Sequence, residues 1–448
     1  MREKLLNKYN IALGIVILLF LVITIYIAFN LKMGISPDSW YHLRVSQEYA
    51  KTLSIPPNTP DTYQWRDITH IPYLYFWING RILNINSLIF HFNDVILLRI
   101  INIIYSLLTI YGIYLLSKEV IKSKWGRIIP VILVCNTLMF VFLSSSINYD
   151  NLANMFATYS IYFFILSITR KGNIQYPLLT ILMLCLGTLT KYTILPLAAI
   201  IVVLLIYEIV KDWNIWKDTI KNKWILLTIP VLIVGILNIT LYGNNILKYR
   251  ELIPSCEKIL SNEECLENGV YLRDNIWIPK EEINFVESIF SGKRLDPIRY
   301  SGIWMFEMTR RVTGFMGDQN LFHSDTTNIL FISLFSISVV IGIFNWKKYS
   351  KAERYLIYIT IFYTLVLMLL QNYTMYLDRG YIILTLQGRY IFPVISSIYT
   401  IFSKTLLNIN NKKIRNVLIS LAIILTLLSC IPFLVLNVDP NWFGYIYF

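Results

Sequence analysis

Runs of apolar residues long enough to cross a lipid bilayer recur along this chain, and they constrain its fold more than any other feature. A membrane-spanning helix needs about 20 predominantly apolar residues. The sequence predicts about eleven such helices, so the fold class is all-α, with residues 1–448 forming a single polytopic membrane domain. The predicted helices cover residues 10–31, 96–117, 128–147, 152–169, 176–190, 192–209, 224–243, 327–345, 355–375, 389–404 and 417–436.

The composition excludes a soluble globular domain. Of the 448 residues, 56% are hydrophobic and only 15% are charged, whereas soluble domains carry about 25% charged residues. A chain with so few charges cannot cover a water-facing surface. The first apolar run follows a short basic start, Met1 to Lys4, and shows no small-residue cleavage site. We therefore expect a retained anchor rather than a cleaved signal peptide.

The distribution of basic residues predicts the topology. Of the 40 lysines and arginines, 21 lie in connections on one side of the predicted helices, and these connections hold only 6 of the 27 acidic residues. Because cytoplasmic loops are enriched in lysine and arginine, we place these segments and the N-terminus in the cytoplasm, and the protein in the plasma membrane. Basic residues beside membrane spans bind anionic lipid, so the net charge of +13 indicates membrane lipids, and not nucleic acid, as partners. The segments are 1–9, 118–127, 170–175, 208–223, 345–354 and 404–416.

Two predicted outer loops are much longer than a connection between helices requires. The first outer loop covers residues 32–93 and the second covers residues 244–326. Loops longer than about 12–15 residues are usually functional or disordered, and the aromatic and isoleucine content of both loops argues against disorder. Cys256 and Cys265 lie in the second loop. A disulfide between them is left open, because it depends on an oxidising compartment.

Two acidic residues are expected at the outer membrane surface. Asp38 follows the first predicted helix by about seven residues, and Asp150 lies in the short turn before the fourth. Two carboxylates at one interface fit a general base and a partner that orients the acceptor or holds a cation. The alternative is that each caps a helix N-terminus, where Asp is a preferred residue. Both are candidate catalytic residues.

Two basic residues lie where the topology does not favour positive charge. Lys191 occupies the turn between the fifth and sixth predicted helices, and Arg389 begins the tenth. Ionisable groups near the hydrocarbon are costly and usually face a polar interior. An anionic lipid headgroup would explain both residues, since arginine suits bidentate contacts with phosphate. The alternatives are side chains that reach back to the interface, or pairing with an acid.

Three further residues of the first outer loop join the candidates. His42 and Arg44 lie at helical spacing beyond Asp38, and His70 precedes an aromatic run. All four histidines fall in predicted outer segments, but most loop residues lie there, so this is weak evidence for a metal site. A divalent metal is left open, and no other cofactor is predicted.

Five short motifs resemble those of the C-type membrane glycosyltransferases, the superfamily of protein O-mannosyltransferases, aminoarabinose transferases of lipid A and oligosaccharyltransferase catalytic subunits. Their order and their predicted side of the membrane agree across nearly the whole chain. The motifs are Pro37-Asp38-x-x-x-His42-x-Arg44, His70-x-Pro72-x-x-Tyr75-x-Trp77, Asn148-Tyr149-Asp150, Leu189-Thr190-Lys191-Tyr192-Thr193 and Gln387-Gly388-Arg389-Tyr390-x-x-Pro393.

The resemblance implies transfer of a sugar from a polyprenyl-phosphate-linked donor to a glycan, lipid or protein acceptor outside the cytoplasm. It implies that Asp38 deprotonates or orients the acceptor and that Asp150 is a second acid near the acceptor or donor. The basic residues would stabilise charge on the leaving phosphate. The residues expected to bind the lipid phosphate or the sugar are His70, Lys191, Arg389, His42 and Arg44.

The sequence also departs from the superfamily pattern. Ser39 follows Asp38 where a second acid is frequent, and Asp-x-Asp is absent from the second outer turn. The C-terminal soluble domain of oligosaccharyltransferases is missing, which argues against protein N-glycosylation. Two alternative functions are an O-antigen-type polysaccharide polymerase or ligase, which would not need an acid directly after the first helix, and a secondary transporter. Transporters usually show repeat symmetry, which we do not find.

Overall fold

The structure, a computed structural model, describes residues 8–219, 225–278, 281, 283–382 and 386–444. The basic start of the chain and the end of the predicted cytoplasmic segment 208–223 fall outside the described residues. Within them the secondary structure is almost entirely helical. A single two-stranded hairpin interrupts the helices, with Phe315 paired to Leu321 and Met316 to Asn320.

The elements follow one another from the N-terminus to the C-terminus. The helices are α1 Lys8–Asn30, α2 Ser39–Ala50, α3 Leu74–Ile85, α4 Asp94–Val120, α5 Ile129–Cys135, α6 Leu138–Ser144, α7 Asp150–Thr169, α8 Gln175–Thr190, α9 Tyr192–Lys211, α10 Trp213–Thr219, α11 Leu226–Tyr249, α12 Asn262–Leu266, α13 Gly269–Leu272, α14 Phe285–Phe290, α15 Pro297–Thr313, α16 Asp325–Phe344, α17 Lys351–Arg379, α18 Gly388–Leu407 and α19 Lys412–Asn437. The strands are β1 Phe315–Met316 and β2 Asn320–Leu321.

The predicted membrane helices are confirmed. In the described ranges, nine helices are long and apolar enough to cross a membrane, and a tenth forms if the bent pair α5 and α6 is one span. The eleventh, α8, is apolar but has only 16 residues. These correspond in order to the eleven predicted helices, so the fold is that of an all-α, multi-pass membrane protein.

The third predicted helix is bent, which the apolar pattern did not predict. The axes of its two halves differ by 67°. At the bend, the Asn136 side chain donates to the Ile132 carbonyl at 2.9 Å and the Thr137 hydroxyl donates to the Leu133 carbonyl at 2.8 Å. Side chains that bond to the preceding turn compete with the helical ladder and favour a bend.

Side-chain caps begin several of the helices. The Asn93 side chain accepts from two backbone amides at the start of α4, and Asn411 does the same for α19. At α17, Ser350 and Glu353 form a reciprocal capping box. Such caps satisfy amides that have no partner within the helix.

Two helices form the centre of the bundle. In the most apolar 18-residue stretch of each helix, 72% of the residues of α7 and 67% of those of α18 are buried. The corresponding shares for α11 and α16 are only 11% and 17%. An apolar helix that the protein itself does not cover faces lipid. Polar residues on the central helices are therefore shielded from lipid by the surrounding helices.

Both long loops that were predicted to lie outside are folded. Helices α2 and α3 belong to the first, and α12 to α15 with the hairpin belong to the second. The loops meet where Asn268 donates to the Gln64 carbonyl at 2.7 Å and accepts from Arg66 Nε at 2.9 Å. Cys256 and Cys265 form a disulfide, with a Cα–Cα distance of 6.0 Å.

Candidate active site

Asp38 lies at the N-terminus of α2 with its carboxylate directed away from that helix. Its backbone is in the left-handed region, with φ of 55°, and its side chain makes no capping hydrogen bond. Asp is one of the few non-glycine residues that tolerate this conformation. The carboxylate accepts a hydrogen bond from Arg389 Nη2 at 2.6 Å. Asp38 is thus not the helix cap that its position allowed.

Asp150 is the first residue of the central helix α7, and it does not cap that helix either. Its side chain is only 3% exposed and forms a buried ion pair with Lys191, which is 2% exposed. The preceding residues hold the turn, since Asn148 accepts from the Asp150 amide and donates to the Pro37 carbonyl at 3.1 Å. This second bond ties the segment that carries Asp150 to the segment that carries Asp38.

Arg389 joins the two acids. Its Nε lies 3.6 Å from Asp150 Oδ2, while its Nη2 bonds to Asp38. Its position depends on Gly388, where a Cβ would come within 2.3 Å of the Arg311 carbonyl oxygen. Only glycine allows the backbones of α18 and α15 to approach so closely.

Aromatic rings surround the ion pairs. Lys191 Nζ lies 4.7 Å from the ring centroids of both Tyr149 and Tyr390. Such cation–π contacts favour the charged amine in a site with little water. The ring of His42 lies 4.4 Å from that of Tyr149. Burial lowers the pKa of His42 to about 3, so the imidazole is neutral at physiological pH.

Burial and neighbouring charge shift the pKa of Asp38 in opposite directions. Enclosure by protein is the largest single influence and disfavours the ionised carboxyl, but the neighbouring groups, led by Arg389 and including His42 and Lys191, together outweigh it and lower the pKa of Asp38 to about 2. The side chain is still 45% exposed, so it remains accessible to a ligand. Asp38 is ionised at neutral pH, which suits a group that accepts a hydrogen bond or a proton from a substrate.

Several buried polar atoms of this cluster have no hydrogen-bond partner among the residues that the structure describes. They are Arg389 Nη1 and both ring nitrogens of His42, while Arg389 Nε and Asp150 Oδ2 face each other at 3.6 Å, beyond hydrogen-bond distance. Most buried polar atoms in proteins are hydrogen-bonded. Unpaired donors and acceptors at one place indicate a site prepared for a polar ligand.

Seven residues were predicted for the site, and the structure brings four of them together: Asp38, Asp150, Lys191 and Arg389. A fifth, His42, lies beside this cluster. His70 lies elsewhere, with its Nδ1 3.1 Å from Asp67 and its Nε2 3.4 Å from the Tyr249 hydroxyl. Arg44 also points away, and bonds to Gln47 at 3.2 Å. In the part of the chain that the structure describes, neither residue is recorded in contact with the acids or with Arg389.

A third acid, Asp318, lies near the cluster and was not predicted. Its amide donates to the Ile35 carbonyl at 3.1 Å, which places the β1–β2 turn against the segment before Asp38. Partial burial, followed by the negative charge of Asp38, raises the pKa of Asp318 to about 6. Asp318 and Ile35 are far apart in sequence, so their contact could not be predicted. The one sequence feature that could have pointed to Asp318 is the Gly317-Asp318 turn in the second long loop.

The donors present do not fit a divalent metal. The described residues contain no group of three or more His, Cys, Asp or Glu side chains placed to hold an ion. Asp38 and Asp150 are already balanced by two cations, Arg389 and Lys191, which would repel a divalent ion.

Comparison with known sequences supports the motif resemblance. The sequence model of the family described as dolichyl-phosphate-mannose-protein mannosyltransferase matches residues 71–240. This region contains Asp150 and Lys191. A comparison with curated proteins gives no significant match.

Comparison with solved structures defines the fold. The apo oligosaccharyltransferase of Archaeoglobus fulgidus superposes with a TM-score of 0.53 at 14% identity, over 97% of this chain and 57% of that one. The same organism's oligosaccharyltransferase with an inhibitory peptide and a dolichol-phosphate gives 0.50 at 14% identity, over 93% and 55%. ArnT from Cupriavidus metallidurans gives 0.49 at 11% identity, over 89% and 60%.

This chain therefore spans a little over half the length of the solved structures it matches. Across that length it has the fold of the C-type membrane glycosyltransferases, which confirms the resemblance found in its motifs. The candidate active site lies where the predicted outer ends of the central helices meet the two long loops.

Proposed function

We propose that this protein is a glycosyltransferase that takes a sugar from a polyprenyl-phosphate carrier on the non-cytoplasmic side of the membrane. The observation that carries the proposal is the convergence of Asp38, Asp150, Lys191 and Arg389. Four distant parts of the chain supply them, and they form one cluster of alternating charge. The matched family is named for a dolichyl-phosphate-linked sugar, which supports a donor of this class.

The basic and the acidic residues of the cluster would have different roles in the transfer, and the basic residues would act on the donor. Arg389 Nη1, which has no hydrogen-bond partner among the described residues, would donate to the donor phosphate, and Lys191 would add positive charge beside it. As the bond between the sugar and the phosphate oxygen breaks, its electron pair passes to that oxygen. Fixed positive groups stabilise this developing charge without rearranging.

Asp38 would act on the acceptor. Its exposed carboxylate can accept a hydrogen bond from the attacking hydroxyl or amine, and takes the proton as the new bond to the sugar forms. A carboxylate whose pKa is about 2 is a weak base, so proton transfer comes late, when the acceptor has become acidic by bonding. Asp150 would hold Lys191 and Arg389 in place.

The expected side of the membrane follows from charge. The four residues lie at helix ends that the sequence analysis places outside. At the opposite ends, basic residues such as Lys122, Lys404 and Arg415 line a common cavity. Because positive residues concentrate on the cytoplasmic side, this arrangement supports a site that faces away from the cytoplasm.

Donor turnover tests the proposal. Purified protein in liposomes would be mixed with polyprenyl-phosphate mannose and polyprenyl-phosphate glucose, each labelled in the sugar, and with a membrane extract as the source of acceptor. The proposal predicts that label leaves the carrier and becomes covalently attached to an acceptor. Uptake of free label into the liposomes without transfer would instead support a transporter.

Arg389→Ala tests the contact with the donor phosphate. Loss of a charge-assisted hydrogen bond should weaken donor binding by about 1.5–3 kcal/mol. Arg299→Ala is the matched control, because Arg299 is 79% exposed in the second outer loop. Unchanged donor affinity in a folded Arg389→Ala protein would show that Arg389 has only a structural role.

Lys191 needs a paired design, because Lys191→Met leaves Asp150 buried without its partner. Removing one member of a buried ion pair costs about 3–5 kcal/mol of stability. Adding Asp150→Asn should restore much of the thermal stability, while donor binding stays weak. Recovery of both properties would show that Lys191 only balances Asp150.

A further inference from the structure

A second open cavity lies in the first outer loop, and the chemistry proposed above does not use it. Its volume is about 750 Å³, within the range of about 300–1,000 Å³ of small-ligand sites. One wall is α2 with the residue that follows it, from Trp40 to Lys51, which is about 16 Å long at 1.5 Å per residue. The other walls are the turn Pro60–Trp65 and the end of α3. We call this cavity the α2 groove.

Helix α2 separates the α2 groove from the candidate active site. His42 and Tyr49 lie on its buried face, and His42 packs against Tyr149 beside Asp150. Trp40, Arg44, Gln47, Glu48 and Lys51 lie on the opposite face and line the groove. Trp40 follows Asp38 by two residues, so one end of the groove begins close in the chain to the residue proposed to meet the acceptor.

The lining combines aromatic rings with planar polar groups. Trp40 is 44% exposed, and Arg44 lies 5.7 Å from its ring centroid. Trp65 and the amide side chains of Gln64 and Asn84 lie on the other walls. Sugar rings place C–H groups against aromatic faces, and each hydroxyl both donates and accepts, which amide and carboxyl groups can match.

The charges of the groove nearly cancel. It has two basic residues, Arg44 and Lys51, and three acidic residues. Lys51 is paired with Glu48 at 2.7 Å. An anionic headgroup would favour an excess of positive charge, and a peptide would need apolar pockets for anchoring side chains. Among the described residues, the apolar lining besides the tryptophans consists of Ala50 and Leu83, so a neutral polar ligand fits best.

We propose that the α2 groove binds a neutral saccharide, the part of a glycan acceptor that lies next to the reacting hydroxyl. This inference rests on the proposed function for its biological meaning, since it assigns the class of acceptor. Its test is independent of that function, because saccharide binding to the groove can be measured without a sugar donor and without turnover.

Saturation-transfer NMR of the full chain in nanodiscs provides the test. The probes are three neutral trisaccharides, mannotriose, maltotriose and triacetylchitotriose, with trigalacturonate as the anionic comparison and a serine- and threonine-rich peptide pool as the peptide comparison. At least one neutral probe should bind. Trp40→Ala should weaken its binding by about three- to tenfold, as expected for loss of one aromatic stacking contact.

Two further variants make the result specific. Gln64→Ala changes the opposite wall at an exposed position and should also weaken binding. Trp277→Ala removes a tryptophan that is 67% exposed in the second outer loop, and binding should stay within twofold of wild type.

Three results would overturn the saccharide assignment: no neutral probe binds, binding is unchanged in both groove variants, or the peptide pool or the anionic probe binds in place of the neutral saccharides. Donor consumption by the wild-type protein is measured separately. Its failure would count against the proposed function and not against the groove.

Discussion

Replacing Asp38 with asparagine separates its catalytic role from its structural role. Asparagine tolerates the left-handed backbone that Asp38 adopts and is an equally good residue at a helix N-cap. The change keeps the size of the side chain and removes its charge. The local fold should therefore persist, and the main loss is the ability to accept a proton.

The two expected effects differ in size. Asp38 is 45% exposed but its partner Arg389 is only 3% exposed. Loss of this pair should therefore cost more than the about 1 kcal/mol of a surface pair and less than the about 3–5 kcal/mol of a fully buried one, and the thermal midpoint should fall moderately. General-base catalysis contributes about 10²–10⁴-fold, which corresponds to about 3–5 kcal/mol in the activation barrier. Arg389 would lose one of its two negative partners and keep Asp150, so binding of the donor phosphate should persist or become tighter.

The assay compares turnover, donor affinity and thermal midpoint for wild type, Asp38→Asn and Asp296→Asn. Asp296 is the matched control because its side chain does cap α15 by accepting from Ile298 and Arg299, a role that asparagine fills. We expect a 10²–10⁴-fold loss of turnover in Asp38→Asn only. If Asp38→Asn transfers sugar within a few fold of wild type, Asp38 is not the base.

Three other predictions test the surroundings of the site. The pKa of Asp318, about 6 against an ordinary 3.8, penalises the folded state once this carboxyl ionises. The thermal midpoint should therefore fall as the pH rises from about 4 to about 6, and Asp318→Asn should reduce this fall. Gly388→Ala places a Cβ against backbone, so it should lower the free energy of unfolding by about 1–3 kcal/mol or more and weaken donor binding. Gly302 has open space around it, so Gly302→Ala should leave both quantities unchanged or raise the stability. Cysteines introduced at 255–300 should react with a membrane-impermeant reagent and those at 118–127 should be protected, and the reverse pattern would contradict the proposed orientation.

Much of the candidate site could be found in the sequence, because the topology restricts where each residue can lie. Asp38, Asp150, Lys191 and Arg389 each occur at a predicted outer helix end, and such ends meet at one surface of the membrane. The pairing among them could not be predicted. Arg389 is the clearest example, since its partners Asp38 and Asp150 lie more than 200 residues away along the chain.

The predicted residues that lie outside the ion-pair cluster, and the acid Asp318 that was not predicted, all belong to the long loops. Helical spacing placed His42 and Arg44 together, but α2 buries one and exposes the other because they lie about 200° apart around the helix. His70 pairs with Asp67 and not with the phosphate-binding candidates. Asp318 approaches Asp38 only because the hairpin turn packs against Ile35.

Apolar run length and charge asymmetry by themselves determined that this chain is an all-α, multi-pass protein, since the bilayer leaves a helical chain few other ways to satisfy its backbone. The tertiary structure decided which charges meet, which helices face lipid and which side of α2 faces the site. These outcomes depend on close packing between residues far apart in sequence, such as Gly388 against Arg311. No local pattern encodes such contacts, because they form only when the helices come together.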